Sequence, residues 1–127
     1  MEKQELQPVK ANVKDKQGND IYNLNLKTRV DKTTGEVSIG LKPGHFIELE
    51  KVFVEGYEHK KPGYNFYSCK AVYQGQEVSF ILNEREHDLY KELGGIGDVV
   101  RISAESYTYK YQGVEKKGLK LNFERVN

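Results

Sequence analysis

The sequence predicts a mainly β protein with a single helix. Three observations carry that prediction. Short alternations of apolar and polar residues recur along the chain, separated by turns rich in Gly, Pro, Asn and Asp. One segment, after Asn83, changes to helical spacing. The aromatic supply is nine Tyr and five Phe with no Trp, which suits pleated, half-buried surfaces.

Taken in order, residues 1–8 are polar, end in Pro8 and are expected to fray. Val9, Ala11 and Val13 alternate, and Lys16-Gln17-Gly18-Asn19-Asp20 is a turn. Tyr22, Leu24, Leu26, Thr28 and Val30 read as a half-buried strand. Asp31-Lys32-Thr33-Thr34-Gly35-Glu36 reads as a hairpin loop, and Val37, Ile39 and Leu41 as the returning strand. Residues 1–40 are therefore expected to form an antiparallel β-meander extension. After Lys42-Pro43-Gly44, one long strand is expected from His45 to about Tyr57. Ile47 and Leu49 share one face of it and Val52 and Val54 the other, a phase switch that reads as a β-bulge. Tyr64 to Tyr73 is the next strand, and Gln74-Gly75-Gln76 turns into Val78, Phe80 and Leu82.

The helix starts at Asn83, a good N-cap, with Glu86 placed to complete a capping box. His87 with Tyr90, and Leu89 with Leu93, have helical spacing, and Gly94-Gly95 ends it. Val100, Ile102 and Ala104 form one face of the following strand, and Leu119, Leu121 and Phe123 the inner face of the last.

With 127 residues the chain has the size of one domain. Its net charge is +1, so any nucleic-acid contact must come from a local patch. Sixteen Lys stand against four Arg; Lys meets phosphate as a mobile point charge, whereas base reading favours the Arg fork, so weak sequence preference is expected. The lone Cys69 allows no disulfide framework and reads as a small core residue. His45, His59 and His87 fall on different elements without ligand spacing, so no metal is expected. No phosphate-binding Gly loop and no nucleophile–base pair are present, and Glu84, Glu86 and Asp88 are accounted for by the helix dipole. Neither an enzymatic activity nor a cofactor is expected. The N-terminus has no apolar signal region and no long apolar run follows, so a cytoplasmic protein, neither secreted nor membrane-bound, is expected.

From residue 45 the order is strand, strand, strand, helix, strand, strand, the order of the OB-fold, a five-stranded Greek-key barrel with one helix between strands three and four. Leu93-Gly94-Gly95-Ile96-Gly97-Asp98-Val99-Val100-Arg101-Ile102 resembles the strand entry of replication protein A type OB domains. Leu41-Lys42-Pro43-Gly44-His45-Phe46-Ile47 resembles the entry into a first OB strand. The resemblance covers residues 41–126. It implies an OB-like domain over residues 41–127, on which residues 1–40 pack as an extension.

Two loops then stand out. Gly56-Tyr57-Glu58-His59-Lys60-Lys61-Pro62-Gly63-Tyr64-Asn65-Phe66 and Tyr107-Thr108-Tyr109-Lys110-Tyr111-Gln112-Gly113-Val114-Glu115-Lys116-Lys117-Gly118 both combine tyrosines with paired lysines. Aromatic faces stack unpaired bases while lysines follow phosphates. In an OB-like barrel these loops would join strands one and two, and strands four and five, flanking the binding face. If Val100, Ile102 and Ala104 point inward, then Arg101, Ser103, Tyr107, Tyr109 and Tyr111 point outward; with Cys69 and Ala71 inside, Phe66, Ser68 and Lys70 face solvent.

The expected function is low-specificity binding of single-stranded DNA, in replication, recombination or repair, in a cell or a virus. Phe66, Tyr107, Tyr109 and Tyr111 would stack bases, flanked by Tyr57 and Tyr64. Lys60, Lys61, Lys70, Arg101, Lys110, Lys116 and Lys117 would follow phosphates. Strand packing of the tyrosines and solvated turn charge on the lysines are the ordinary structural explanations. Two alternatives stay open. One is a non-catalytic interaction module whose N-terminal extension pairs with a second copy or a partner protein; the other is an RNA-binding translation-type OB protein.

Overall fold

The computed structural model describes residues 1–53 and 55–126. Its elements are β1 (Glu2–Lys3), β2 (Val9–Lys14), β3 (Asp20–Asn23), β4 (Arg29–Val30), β5 (Val37–Ser38), β6 (His45–Lys51), β7 (Tyr57–Lys61), β8 (Tyr64–Tyr73), β9 (Gln76–Asn83), α1 (Glu84–Lys91), β10 (Val99–Tyr111) and β11 (Val114–Arg125). Nine strands form one mixed sheet with the path β11-β10-β6-β8-β9-β3-β2. Off that path, β1 runs parallel to the start of β6 and β7 is added along β8. The strands β4 and β5 form a ribbon of their own.

Period-two patterning builds the core. Ile47 and Leu49 of β6, Cys69, Ala71 and Tyr73 of β8, and Val78, Phe80 and Leu82 of β9 are buried on one side of the sheet. Val100, Ile102 and Ala104 of β10 and Leu121 of β11 join them, with Leu119 and Phe123 half-buried against the cluster. The N-terminal chain contributes Leu6, Leu24, Leu26 and Leu41.

The helix α1 begins on the expected capping box. The Asn83 carboxamide accepts from Glu86 N–H at 2.8 Å, and Glu86 Oε1 accepts from Asn83 N–H at 3.0 Å. Its other end is held by Lys51, which continues the inward phase of Ile47 and Leu49. Lys51 is fully buried and donates from Nζ to the carbonyls of Tyr90 (2.8 Å) and Leu93 (3.0 Å). The Tyr90 carbonyl also accepts from Leu93 N–H at 3.2 Å, so the cation adds a bond there and supplies the donor for Leu93, at the end of the helix where positive charge is favoured. The Lys51 backbone also holds the entry to β10, through Gly97 N–H to Lys51 C=O and Lys51 N–H to Asp98 C=O.

Several expectations need correcting. The sheet does not close into a barrel. The outer edge of β9 is occupied by the N-terminal chain: Asn23 is in register with Ser79, and Leu24 N–H donates to the Ser79 carbonyl at 2.8 Å. On the other flank, Arg85 of α1 donates to the Leu121 carbonyl at 3.1 and 3.5 Å, so β11 meets a guanidinium there rather than a strand. The extension is not a simple meander either. β2 and β3 form an antiparallel hairpin, β3 then runs parallel to β9, and β4–β5 is a separate ribbon with Val30, Val37 and Ile39 exposed. Residues 1–8 do not fray: β1 pairs with β6, and Leu6 is buried with its N–H on the Tyr73 hydroxyl at 2.9 Å. The long strand from His45 ends at Lys51, and β7 is a distinct strand. The expected place of Val54 on a bulge lies outside the described residues.

Candidate functional site

The two aromatic segments are hairpins rather than loops. In the first, β7 and β8 are connected by a tight Pro62-Gly63 turn, with Gly63 at φ 87°. The second joins β10 and β11 through Gln112 and Gly113, both at positive φ (52° and 76°), as a type I′ hairpin turn requires. β10 leaves β6 after Ser103, so the rest of β10 and the matching half of β11 form a two-stranded arm.

Register decides which residues of each hairpin act together, because directly opposed residues share a face. On β7–β8 the pairs Tyr57–Ser68, His59–Phe66 and Lys61–Tyr64 lie on the outer face, opposite the Cys69 and Ala71 side. Four rings form a strip there. Tyr57 meets His59 edge-on at 5.0 Å, His59 stacks on Phe66 at 4.7 Å and 8°, and Tyr64 tilts against Phe66 at 6.1 Å. The His59 ring is fixed by Ser68 Oγ at 2.9 Å from Nε2. Phe66 is therefore half-buried, with one face covered by His59, rather than a fully open platform. Lys60 pairs with Asn65 and points to the other face.

On β10–β11 the pairs Tyr107–Gly118, Tyr109–Lys116 and Tyr111–Val114 share one face. Tyr107 lies over Gly118, where an added Cβ would come within 2.5 Å of its ring. The Tyr107 and Tyr109 rings are 5.8 Å apart, and Lys116 Nζ sits 5.0 Å from the Tyr111 ring centroid. Lys110 and Lys117 belong to the opposite face, with Glu115 and Thr108 as their cross-strand partners. Each lysine pair is thus split, with Lys61 and Lys116 beside the rings.

Two open depressions connect the hairpins. The first, about 540 Å³, lies between residues 23–29 and the outer face of β8–β9, and is lined by Tyr64, Phe66, Ser68, Ile81 and Asn83 among others. The second, about 680 Å³, is lined by Tyr107, Ser106, Leu119 and Lys120. Both include Lys27, Asn83 and Glu86, so they adjoin. Of the residues expected from sequence, Tyr64 and Phe66 lie at one end of this path and Tyr107 at the other. Tyr57, Tyr109, Tyr111 and the lysines of both turns lie outside its lining. Lys70 faces outward as expected but lines a neighbouring depression of about 240 Å³ with Tyr22 and Asp15, 3.9 Å from Glu77. Arg101 faces outward too, yet it is engaged: it packs 4.4 Å over the Phe46 ring and pairs with Glu124 (3.2 Å) and Glu48 (3.9 Å).

The groove floor has residues that sequence reasoning missed. Ile81, 60% exposed, and Asn83 follow from period two once Phe80 and Leu82 are inside, so that signal was present. Lys27 and Arg29 were hidden because residues 22–30 read as one strand. Lys27 binds Glu86 Oε2 at 3.0 Å, which ties the N-terminal chain to the helix cap.

The root of β7 is held by His87 on α1. Its Nε2 accepts from Gly56 N–H at 2.9 Å, and its ring stacks on Tyr67 at 3.8 Å. Burial holds the His87 pKa below the ordinary 6.5, against the raising effect of Asp88, so the imidazole is neutral with its proton on Nδ1. Burial likewise pushes the Cys69 thiol up to about 12, which leaves it unreactive. No helix among the described residues is long and apolar enough to cross a membrane. No family model, curated protein or solved structure matches the chain.

Proposed function

We propose that the chain binds single-stranded nucleic acid, DNA ahead of RNA, with low sequence specificity, as a single-strand-handling protein of replication, recombination or repair. One observation carries this reading: two adjoining depressions, with Lys27, Asn83 and Glu86 common to both, lie between Tyr64 and Phe66 on one aromatic hairpin and Tyr107 on the other. The lining of the first offers Ile81, Ser68 and Asn83 on an exposed sheet face, as contact with an extended strand would require.

In this proposal the core has an OB-like strand arrangement that stays open. Support comes from strand order and pairing: β6 pairs with both β8 and β10, β8 with β9, and β10 with β11, and α1 follows β9. In that architecture the ligand crosses the outer face of the second and third strands, between the hairpins. Here that face is β8–β9, where the larger aromatic strip lies. Each stacked base contributes ~1–3 kcal/mol, so two rings with a few phosphate contacts reach the micromolar range. Lys61, opposite Tyr64, and Lys116, opposite Tyr109, lie outside the lining and would meet phosphates where the strand runs on past it.

Titration of labelled dT oligomers followed by fluorescence anisotropy, at two salt concentrations and against a duplex control, tests the reading. Salt-sensitive binding that prefers the single strand is the expected result. Equal affinity for duplex, or no binding at low salt, contradicts it.

A further inference from the structure

Four arginines are present, and three are used internally. Arg85 donates to the Leu121 carbonyl, Arg101 pairs with Glu48 and Glu124, and Arg125 with Asp98. Arg29 is different. It is exposed on β4, and among the described residues it has no ion pair and no hydrogen bond from its side chain. Its charge is felt by Asp31, but the Asp31 carboxylate is occupied by the N–H groups of Thr33 (2.8 Å) and Thr34 (3.2 Å).

Arg29 lines the same groove as Tyr64, Asn65 and Phe66. The other charged residues of that groove, Lys27 and Glu86, neutralise each other at 3.0 Å. Among the lining residues one positive charge therefore remains without an ion-pair partner, on a planar fork beside the aromatic strip. The β4–β5 ribbon that carries it is braced at its root. Gly40 N–H donates to Thr28 Oγ1 at 3.1 Å, Leu41 N–H to the Leu26 carbonyl at 2.9 Å, and Gly40 lies so close to the Lys27–Thr28 backbone that no Cβ fits. At the far end, Asp31 N–H donates to the Glu36 carbonyl and Gly35 N–H to the Asp31 carbonyl, each at 2.8 Å. The ribbon is preformed, so little ordering is required of it on binding.

We infer that Arg29 grips a phosphodiester group of the strand in the groove, making the β4–β5 ribbon a third wall of the site. The inference rests on the single-strand reading above and adds a contact to it. A guanidinium matches two phosphate oxygens at once, and a groove whose other charges cancel, with one such fork beside aromatic rings, favours an anionic ligand over a neutral one.

The test is an anisotropy titration of the full chain with labelled dT and rU oligomers across a salt series. The variants are Arg29→Ala, Arg29→Lys, Phe66→Ala and, as a control at the ribbon tip, Lys32→Ala. Arg29→Ala is expected to weaken binding about tenfold and to flatten the slope of log K against log salt by about 0.7, the value for one phosphate on a single strand. Arg29→Lys restores the slope but not the full affinity, and Lys32→Ala changes neither. Unchanged affinity and slope in Arg29→Ala, with Phe66→Ala weakened, overturns the role of Arg29 and leaves the groove reading intact. Failure of the unsubstituted chain to bind either oligomer overturns both.

Discussion

Lys51 occupies a position that alternation reserves for an apolar side chain, and the reason is local. The Leu93 carbonyl beyond α1 takes its donor from the Lys51 ammonium, which also reaches the Tyr90 carbonyl while its stem packs in the core. Burial pushes its pKa below the usual lysine range, opposed by Asp98, so the site holds a charge at a cost that the two hydrogen bonds offset. Lys51→Ala is therefore expected to lose about 2–4 kcal/mol in urea unfolding, from the lost packing and the stranded Leu93 carbonyl. Lys51→Met, which keeps the stem, loses less. His87 yields a pH prediction. Its folded pKa lies below 6.5, so its contribution is full above pH 6.5 and is lost as pH falls from there toward the folded value. The stability difference between the wild type and His87→Asn, followed by denaturation at several pH values, should shrink over that window. A constant difference would remove His87 from the account.

Hairpins, rather than single residues, organise the site, and here sequence and structure part in an instructive way. The outward phase of Phe66, Ser68 and Lys70, and of Tyr107, Tyr109 and Tyr111, was legible because the inner residues on the same strands are plainly apolar. So was the helix, from its capping box. The hairpin lengths were not. Tyr-, Lys- and Glu-rich segments without an apolar side read as loops, yet they pair fully when one face carries aromatics and the other charge. The register that separates Lys61 from Lys60, and Lys116 from Lys117, depends on which two residues form the turn. Residues 22–30 misled in the opposite direction: Leu24 and Leu26 are buried as alternation requires, but the chain leaves the strand after Asn23 to cross the open side of the sheet. The β10–β11 arm offers a test at this scale. In Gly118→Ala the new methyl displaces the outer end of the Tyr107 ring, a movement that costs under about 1 kcal/mol of stability because the side chain can swing. Strand binding should nevertheless fall several-fold, by up to about the ~1 kcal/mol of one stacked base. Unchanged affinity would mean that Tyr107 takes no part.

The whole molecule is an open sheet whose gap is filled by its own N-terminal chain. Leu6, Leu24 and Leu26 enter the core, β3 covers the edge of β9, and Lys27 locks the segment to Glu86. This arrangement places residues of the 1–40 segment in the shared core and along one wall of the groove. A chain beginning at Leu41 is expected to lose cooperative unfolding in a thermal melt, and Leu24→Ala in the full chain to cost about 2–5 kcal/mol. A cooperative melt of the shortened chain would instead make the extension an accessory. The groove itself is tested most directly by ultraviolet cross-linking of a dT oligomer to the full chain, with the attached residues located by mass spectrometry. Attachment is expected at Tyr64, Phe66 and Tyr107, the rings that line the two depressions between the hairpins. Attachment confined to β2 and β3, or spread evenly over the exposed tyrosines, would contradict it.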